Sequence, residues 1–520
     1  MDKHMAPLIQ YKKELASGRA LVVAAIFLSS LSTSLADEPD DKSKSEKATT
    51  AEYAVRTITT EVAQSPAGYS YSIETGTLTQ ATDDGKEKAD VFFVAYTRKE
   101  TDNARRPVTF AFNGGPGSSS VWLHLGMLGP KRIEFPADAT YLAPPYHLSD
   151  NPHTLLDISD LVFIDPVSTG YSRPTDGEEK SQFHGFQEDV NSVAQFIHDW
   201  LSHYQRWQSP KVLIGESYGG LRASGLAERL QSRYNLELNG IVIISGAVNF
   251  QTLRFGSGND LPYICFLPTY AATAWYHQQL DDELLRLPID RLVKQAEDFA
   301  AGPYAQVLLA GSEARPARVQ RVVEEMSRLT GISQDYILRS NLRIPMNHFG
   351  KELLRDQRRT IGRFDSRYQG IDRDAVGDST EYDPSGAAIF GPFTATMNQY
   401  LREDLQYKQP KTYEILTGNV QPWNYDSFTG RYVDASDALR TAMTGNPHLK
   451  LFVACGYYDL ATPHFAMRYT LNHLGLDETL RQNITLSNFE GGHMVYIYEP
   501  SMERLRTELS AWFGEACRSD

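Results

Sequence analysis

The sequence is poor in cysteine and in basic residues. Its 520 residues include only three cysteines, Cys265, Cys455 and Cys517. An odd count leaves at least one thiol without an intramolecular partner, so no pairing is assigned. Lys and Arg number 51 against 65 Asp and Glu, a net charge of −14. This balance argues against a nucleic-acid-binding protein, which would present a basic face.

Motifs for metals and phosphates are also missing from the sequence. No His, Cys and Asp cluster has the spacing of metal ligands, and H-E-x-x-H does not occur. Neither G-x-x-x-x-G-K-[ST] nor G-x-G-x-x-G is present, which disfavours a phosphate-cradling loop. We therefore expect chemistry that needs no metal and no cofactor.

The apolar run near the N-terminus, Leu21–Leu28, is too short for a membrane span of about 20 residues. Small residues at Ser34 and Ala36 follow it and suit signal-peptidase cleavage. We predict a signal peptide over 1–36 and an exported protein, periplasmic or extracellular, without a stable membrane span. A retained anchor is the alternative. Four basic residues precede the run: Lys3, Lys12, Lys13 and Arg19.

Hydrophobic patterning predicts an α/β fold. A polar linker over 37–54 precedes a β-hairpin around Asp83-Asp84-Gly85. Short apolar runs then alternate with helical patterns at 186–204 and 221–234, as expected for a doubly wound, mostly parallel sheet. We predict a core at 55–250 and 446–518, with a large, mainly helical lid insertion at 251–445. The apolar runs lie at 108–113, 161–166, 211–216, 241–246 and 449–456.

The sharpest motif is Gly215-Glu216-Ser217-Tyr218-Gly219, a G-x-S-x-G between a strand pattern and a helix pattern. Small glycines permit a sharp strand-to-helix turn that projects the serine hydroxyl. The helix N-terminus places backbone N–H groups beside a developing anion. We predict an α/β-hydrolase nucleophile at Ser217; a purely structural turn is the alternative.

A serine hydroxyl needs a base, and in this architecture an acid and a histidine follow it along the chain. Asp459 follows the apolar run at 449–456, and His493 follows Gly491-Gly492. We predict His493 as general base and acid, and Asp459 as the residue that orients it. A turn-capping aspartate and an ordinary loop histidine are the alternatives.

An early Gly-rich loop, Asn113-Gly114-Gly115-Pro116-Gly117, ends the run at 108–113. Consecutive glycines let backbone N–H groups point into a cavity, as an oxyanion hole requires. We predict Gly115 and Tyr218 as its two donors.

In this order, these motifs resemble the serine carboxypeptidases over roughly residues 108–498. The resemblance rests on the Asn-Gly-Gly-Pro-Gly motif at 113–117, the Gly-Glu-Ser-Tyr-Gly motif at 215–219, Asp459 and Gly-Gly-His-Met at 491–494. The segments 151–155 and 164–172 also look like that family. The resemblance implies release of C-terminal residues from peptides that have a free C-terminus.

The resemblance further implies that Asn113, Gly114 and Glu216 bind the substrate, with Asn113 and Glu216 at its terminal carboxylate. In that family a second Glu pairs with the Glu before the serine and shares a proton with it. Here Met127 stands at that position, Ala111 replaces a usual Trp, and Ser118 an often-found Cys. We hypothesise that an Arg or another donor from the insertion replaces the lost Glu.

Two other functions use the same sequence features. An esterase or acyltransferase can work with an identical triad, and a non-catalytic exported binding protein can keep the fold. The binding-protein alternative is disfavoured because Ser217, Asp459 and His493 are all present. His124, near the Gly-rich loop, is interpreted as a packed helix residue. The sequence does not indicate an oligomeric state.

Overall fold

The computed structural model describes residues 54–62, 65, 67–99, 101–102 and 105–518. These residues belong to one compact unit, Ala51–Asp520. The predicted signal peptide at 1–36, and the predicted linker up to residue 53, lie outside the described residues. None of the helices in the described residues has the length and apolar character of a membrane span.

A ten-stranded sheet forms the centre of this part of the chain. The strands are β1 (Val55–Val62), β2 (Tyr71–Ala81), β3 (Glu87–Arg98), β4 (Val108–Phe112), β7 (Asp160–Ile164), β8 (Arg173–Pro174), β9 (Lys211–Glu216), β10 (Gly240–Ile244), β13 (Lys450–Gly456) and β14 (Ile484–Phe489). Two-residue strands pair outside it: β5 (Lys131–Arg132) with β6 (Ser149–Asp150), and β11 (Thr360–Ile361) with β12 (Gln369–Gly370).

The strand order is β1-β2-β3-β7-β4-β9-β10-β13-β14, with β8 beside β3. Strands β1 to β3 form an antiparallel meander, and the six strands from β7 to β14 in this order are parallel. Every predicted apolar run overlaps one of the parallel strands, and four of these strands are buried along their whole length. Parallel strands covered on both faces need such continuous apolar sequence.

Helices cover both faces of the sheet. Those of the core are α1 (Val121–Leu123), α2 (Phe186–His203), α3 (Tyr218–Tyr234), α12 (Ser436–Gly445), α13 (His464–Asn472), α14 (Glu478–Arg481) and α15 (Glu499–Ala516). One hydrophobic cluster joins α15 to one face, and another joins α2, α3 and α12 to the opposite face. Together with the strand order, this layering is the α/β-hydrolase fold that the sequence predicted.

The segment between β10 and β13 is mainly helical. Its helices are α4 (Leu261–Tyr276), α5 (Asp282–Leu285), α6 (Ile289–Phe299), α7 (Ala305–Ala310), α8 (Pro316–Thr330), α9 (Gln334–Arg339), α10 (Met346–Glu352) and α11 (Pro384–Glu403), followed along the chain by α12. Helices α4 to α10 share a hydrophobic cluster that also includes Leu460 and Ala466 of the core. The exact borders of the two core parts and of the insertion stay predictions.

The helix predicted over 221–234 begins earlier than expected. It starts at Tyr218, directly after the serine of the G-x-S-x-G motif. The two glycines of this turn lack side chains, so the sequence pattern showed no helical face there. The early start places the first helical N–H groups beside Ser217.

Candidate active site

Ser217 lies on the sharp turn between β9 and α3. Its backbone has φ 62° and ψ −125°, a strained conformation for a residue with a side chain. Small neighbours make the turn possible: a Cβ on Gly215 would lie 2.2 Å from the carbonyl oxygen of Gly219. The Ser217 N–H donates to the carbonyl oxygen of Ile244 at 3.0 Å, which ties the turn to β10. This geometry is that of a nucleophile elbow.

The Gly-rich loop passes directly over the first turn of α3. A Cβ on Gly114 would lie 2.4 Å from the backbone nitrogen of Tyr218. Gly115 has φ 103°, a conformation that L side chains rarely adopt. The structure therefore brings the predicted donors Gly115 and Tyr218 to neighbouring positions beside Ser217.

A buried ion pair fixes this loop to the helices. Arg222 on α3 donates from Nε to Asp189 on α2 at 2.7 Å and from Nη1 to the carbonyl oxygen of Asn113 at 2.5 Å. Both charged side chains are fully buried. Loss of either partner would leave an unpaired buried charge, so the contact strongly constrains the loop.

Asp459 and His493 form a buried hydrogen-bonded pair. Nδ1 of His493 lies 2.8 Å from Oδ2 of Asp459. The other carboxylate oxygen accepts the backbone N–H groups of Ala461 and Thr462 at 2.7 and 3.0 Å. The Thr462 hydroxyl lies 2.7 Å from Oδ2. These contacts fix the carboxylate, and they leave Nε2 of His493 free to act toward the cavity.

Residues 363–365 of the helical insertion hold the two loops that carry this pair. The His493 N–H donates to the carbonyl oxygen of Phe364 at 2.5 Å, and the Leu460 N–H donates to that of Arg363 at 3.0 Å. A Cβ on Gly492 would lie 2.4 Å from Cβ of Asp365, which explains the need for a glycine before the histidine. The insertion thus positions His493 besides covering the cavity.

Glu216 and Asn113 are buried beside Ser217. Oε2 of Glu216 accepts the Tyr496 hydroxyl at 2.5 Å. The Asn113 carbonyl oxygen Oδ1 accepts the Leu123 N–H at 3.1 Å. Its Nδ2 makes no hydrogen bond of standard geometry among the described residues, but it lies near enough to Glu216 to act as a donor that lowers the pKa of that group. An unpartnered buried donor indicates a place for a ligand acceptor.

Burial sets the protonation of the two titratable groups nearest the nucleophile. Burial raises the pKa of Glu216 to about 7, although the His493 charge and the Tyr496 hydrogen bond oppose the rise. Burial by itself lowers the pKa of His493. The charge and hydrogen bond of Asp459, with the charge of Glu216, outweigh it, so this pKa lies above its ordinary value. Glu216 therefore changes charge near neutral pH.

A cavity of about 180 Å³ opens over the serine. Most of the side chains around it are apolar, and Arg363 from the insertion supplies the one fixed positive charge among them. Arg363 lies near enough to His493 to lower its pKa, and it forms no ion pair within the described part of the chain. The lining residues are Asn113, Gly114, Gly115, Pro116, Ser118, Trp122, Glu216, Ser217, Arg363, Phe364, Ile389, Phe390, Leu416, His493 and Met494.

Several residues noted in the sequence lie in the core. Met127 and Ala111 are buried in the same hydrophobic cluster. His124 is buried, stacks on Phe163 at 4.1 Å and lies 2.7 Å from the Tyr96 hydroxyl. The contacts of His124 agree with the packed interpretation. Among the described residues, Cys265, Cys455 and Cys517 are free thiols.

Sequence reasoning did not single out Tyr496, Thr462 or Arg363. Thr462 follows Asp459 by three residues, a spacing that suits a hydroxyl bond back to a loop carboxylate. Arg363 and Tyr496 had no such signal, because only the folded chain brings Arg363 to the cavity and the Tyr496 hydroxyl to Glu216.

Comparison with known proteins decides the family. The sequence model of a family described as serine carboxypeptidase matches residues 69–498. The chain belongs to the serine carboxypeptidase family. This match covers β2 and β3 of the meander, every parallel strand, the insertion, and all the residues placed around the cavity.

Characterised members of the family are distant relatives. A pheromone-processing carboxypeptidase of Aspergillus niger is 29% identical over 190 residues, 36% of this chain and 28% of that protein. Serine carboxypeptidase-like 8 of Arabidopsis thaliana is 23% identical over 225 residues, 43% of this chain and 48% of that protein. The similar segments thus span less than half of either relative.

A solved structure, the proline iminopeptidase of Mycobacterium smegmatis, aligns with 85% of this chain and 98% of its own. The two are 13% identical, with a TM-score of 0.36, and no functional argument rests on this likeness. The assignment to the serine carboxypeptidases rests on the family match.

Proposed function

We propose that the protein is an exported serine-type carboxypeptidase that releases the C-terminal residue of peptides. The observation that carries this proposal is the grouping around Ser217. A buried carboxyl group, Glu216, and an unpartnered buried amide, Asn113, line the same cavity as the serine and His493. Such a set suits a substrate that ends in a carboxylate one residue beyond the bond to be cut.

The first half of the reaction forms an acyl-enzyme. Oγ of Ser217 attacks the carbonyl carbon while Nε2 of His493 takes the hydroxyl proton. The oxyanion accepts the N–H groups of Gly115 and Tyr218. The C–N bond then breaks, and His493 gives its proton to the departing amine of the C-terminal residue. Asp459 orients the imidazole and stabilises its charged form.

The second half frees the enzyme. Water attacks the ester carbon and gives a proton to Nε2 of His493, through a second oxyanion held by the same N–H groups. The bond to Oγ breaks, Ser217 recovers the proton from His493, and the shortened peptide leaves with a new carboxylate. The proton that left with the amine is replaced by one from water, so the triad returns to its starting protonation state.

Recognition of the free C-terminus uses three groups. Nδ2 of Asn113 donates to the carboxylate, and neutral Glu216 donates its proton. Arg363, the only fixed cation among the lining residues, adds charge attraction. This assigns to Arg363 the role that the sequence analysis left to an unnamed donor of the insertion. Gly114 contributes to the substrate site by letting the loop lie against the elbow, since a Cβ there would lie 2.4 Å from the backbone nitrogen of Tyr218.

The apolar lining favours apolar side chains next to the cleaved bond. Trp122, Ile389, Phe390, Leu416 and Met494 line the cavity. A Lys or Asp side chain would lose hydration there, and it would gain no opposite charge because Arg363 and Glu216 contact the terminal carboxylate in this proposal. We expect C-terminal Phe or Leu to be released faster than C-terminal Lys or Asp.

An esterase or acyltransferase is the second candidate, because the same triad serves esters and amides. The test compares a peptide with its C-terminal amide and with a simple ester. A carboxypeptidase cleaves the peptide with the free carboxylate much faster than the amide. Rapid ester turnover with no peptide cleavage would favour the second candidate, and no turnover of any of them would favour a binding protein.

A further inference from the structure

Tyr496 makes a short, buried hydrogen bond to the side chain of Glu216. Its hydroxyl donates to Oε2 at 2.5 Å, and the two residues are 0% and 3% exposed. It lies three residues after His493, in a short turn over Val495–Ile497. The same short stretch of chain therefore carries both the proposed base and the hydroxyl that contacts the carboxyl group next to Ser217.

The Tyr496 ring fits a space that a single glycine provides. A Cβ on Gly126 would lie 2.5 Å from Cε2 of the ring. The next residue, Met127, is apolar and buried, so it brings no second ionisable group to Glu216. Close packing against Gly126 holds the phenol where its hydroxyl meets Oε2.

We propose that Tyr496 is a positioning residue for substrate recognition. Its hydroxyl holds Oε2 of Glu216, and this leaves Oε1 to carry the proton that meets the peptide carboxylate. The inference rests on the function proposed above. It adds the residue that allows a single buried carboxyl group to recognise the peptide carboxylate.

Of the two side chains in this hydrogen bond, Glu216 is the one that changes charge near neutral pH. Burial, with the charge and hydrogen bond of Glu216, raises the pKa of Tyr496 well above its ordinary value, so the phenol remains a donor. The other groups that act on Glu216 are His493, Asp459 and Asn113. Arg363 acts on the neighbouring His493.

The test is Tyr496→Phe, which removes the hydroxyl and keeps the ring. For a peptide and its C-terminal amide, kcat/KM is measured from pH 5 to pH 9, and the ratio of the two values reports carboxylate recognition. We expect this ratio to fall about tenfold below pH 7, as for loss of a hydrogen bond to a charged or proton-donating group. The pH at which the ratio declines should move to a higher value, because the lost hydrogen bond favoured the charged form of Glu216.

Two controls separate this role from a general loss of structure. Tyr498→Phe removes a phenolic hydroxyl two residues away and should leave the ratio and its pH profile unchanged. In a Glu216→Gln background, Tyr496→Phe should no longer shift the profile, because the amide that replaces the carboxyl group does not titrate. Tyr496→Phe with the ratio and the pH profile of the parent enzyme would overturn the proposal.

A second variant covers the case in which Tyr496→Phe does not fold. Gly126→Ala keeps the hydroxyl and pushes the ring away from its site, so it should lower the ratio in the same direction. An unchanged ratio in that variant would also overturn the proposal. A parent enzyme that does not distinguish the peptide from its amide would instead refute the proposed function.

Discussion

Replacement of Glu216 by Gln tests how the enzyme recognises a free C-terminus. Because burial raises the pKa of Glu216 to about 7, this group is mostly neutral at pH 6 and mostly charged at pH 8. Only the neutral form donates a proton to the substrate carboxylate. The charged form repels it. The preference for a free carboxylate should therefore decline as pH rises through about 7.

The size of this decline follows from the titration. The neutral fraction of a group with a pKa near 7 falls about tenfold between pH 6 and pH 8, equivalent to about 1.4 kcal/mol of differential interaction. In the parent enzyme, the ratio of kcat/KM for a peptide over its C-terminal amide should fall by about that factor. Glu216→Gln should give a ratio that does not change with pH, since its amide donates at every pH.

The ratio is the appropriate readout, because both substrates share Ser217 and His493 and their titrations cancel. Glu490→Gln, at an exposed glutamate beside the histidine loop, is the matched control and should keep the parent profile. A parent ratio that is flat from pH 6 to pH 8 would refute the reasoning. So would a Glu216→Gln enzyme that keeps the decline.

Three further substitutions test the other parts of the site. Asp459→Asn should lower kcat by about a thousandfold or more with little change in KM, because the amide no longer fixes the His493 tautomer; steady-state kinetics with a loss under tenfold would contradict this role. Gly114→Ala should lower kcat by about a hundredfold, since its Cβ would lie 2.4 Å from the Tyr218 nitrogen and displace an oxyanion donor. Its thermal unfolding midpoint shows whether the fold survives. Arg363→Ala should raise KM for a free peptide by about fivefold at low salt and less at high salt, as for an exposed charge, with Arg363→Lys close to the parent. Equal KM in all three enzymes would exclude Arg363 from substrate binding.

The sequence predicted the parts of the structure that depend on local pattern. Continuous apolar runs indicated the parallel strands, and the glycines around Ser217 indicated the elbow, because each feature is a short-range requirement of the backbone. The chain order of Ser217, Asp459 and His493 indicated the acid and the base, which the structure places in hydrogen-bond contact. Their catalytic roles stay proposals until they are measured.

Contacts between distant segments could not be read from the sequence. Nothing near Arg363 marks it as a cavity residue, and it reaches the cavity because residues 363–365 bind the loops of Asp459 and His493. Tyr496 and Gly126 are 370 residues apart along the chain, and each looks ordinary alone. Met127 indicated that the family's second glutamate is missing from this chain. Only the folded structure shows that the Tyr496 hydroxyl donates to Glu216.

Mass spectrometry of a mixed peptide pool tests the central claim most directly. The pool is incubated with the parent enzyme and with Ser217→Ala, at pH 5 and at pH 7.5, and C-terminally amidated copies serve as controls. The account predicts stepwise loss of C-terminal residues from the free peptides with the parent enzyme alone, while the amidated copies stay largely intact. Intact free peptides with the parent enzyme, or equal trimming by Ser217→Ala, would contradict it.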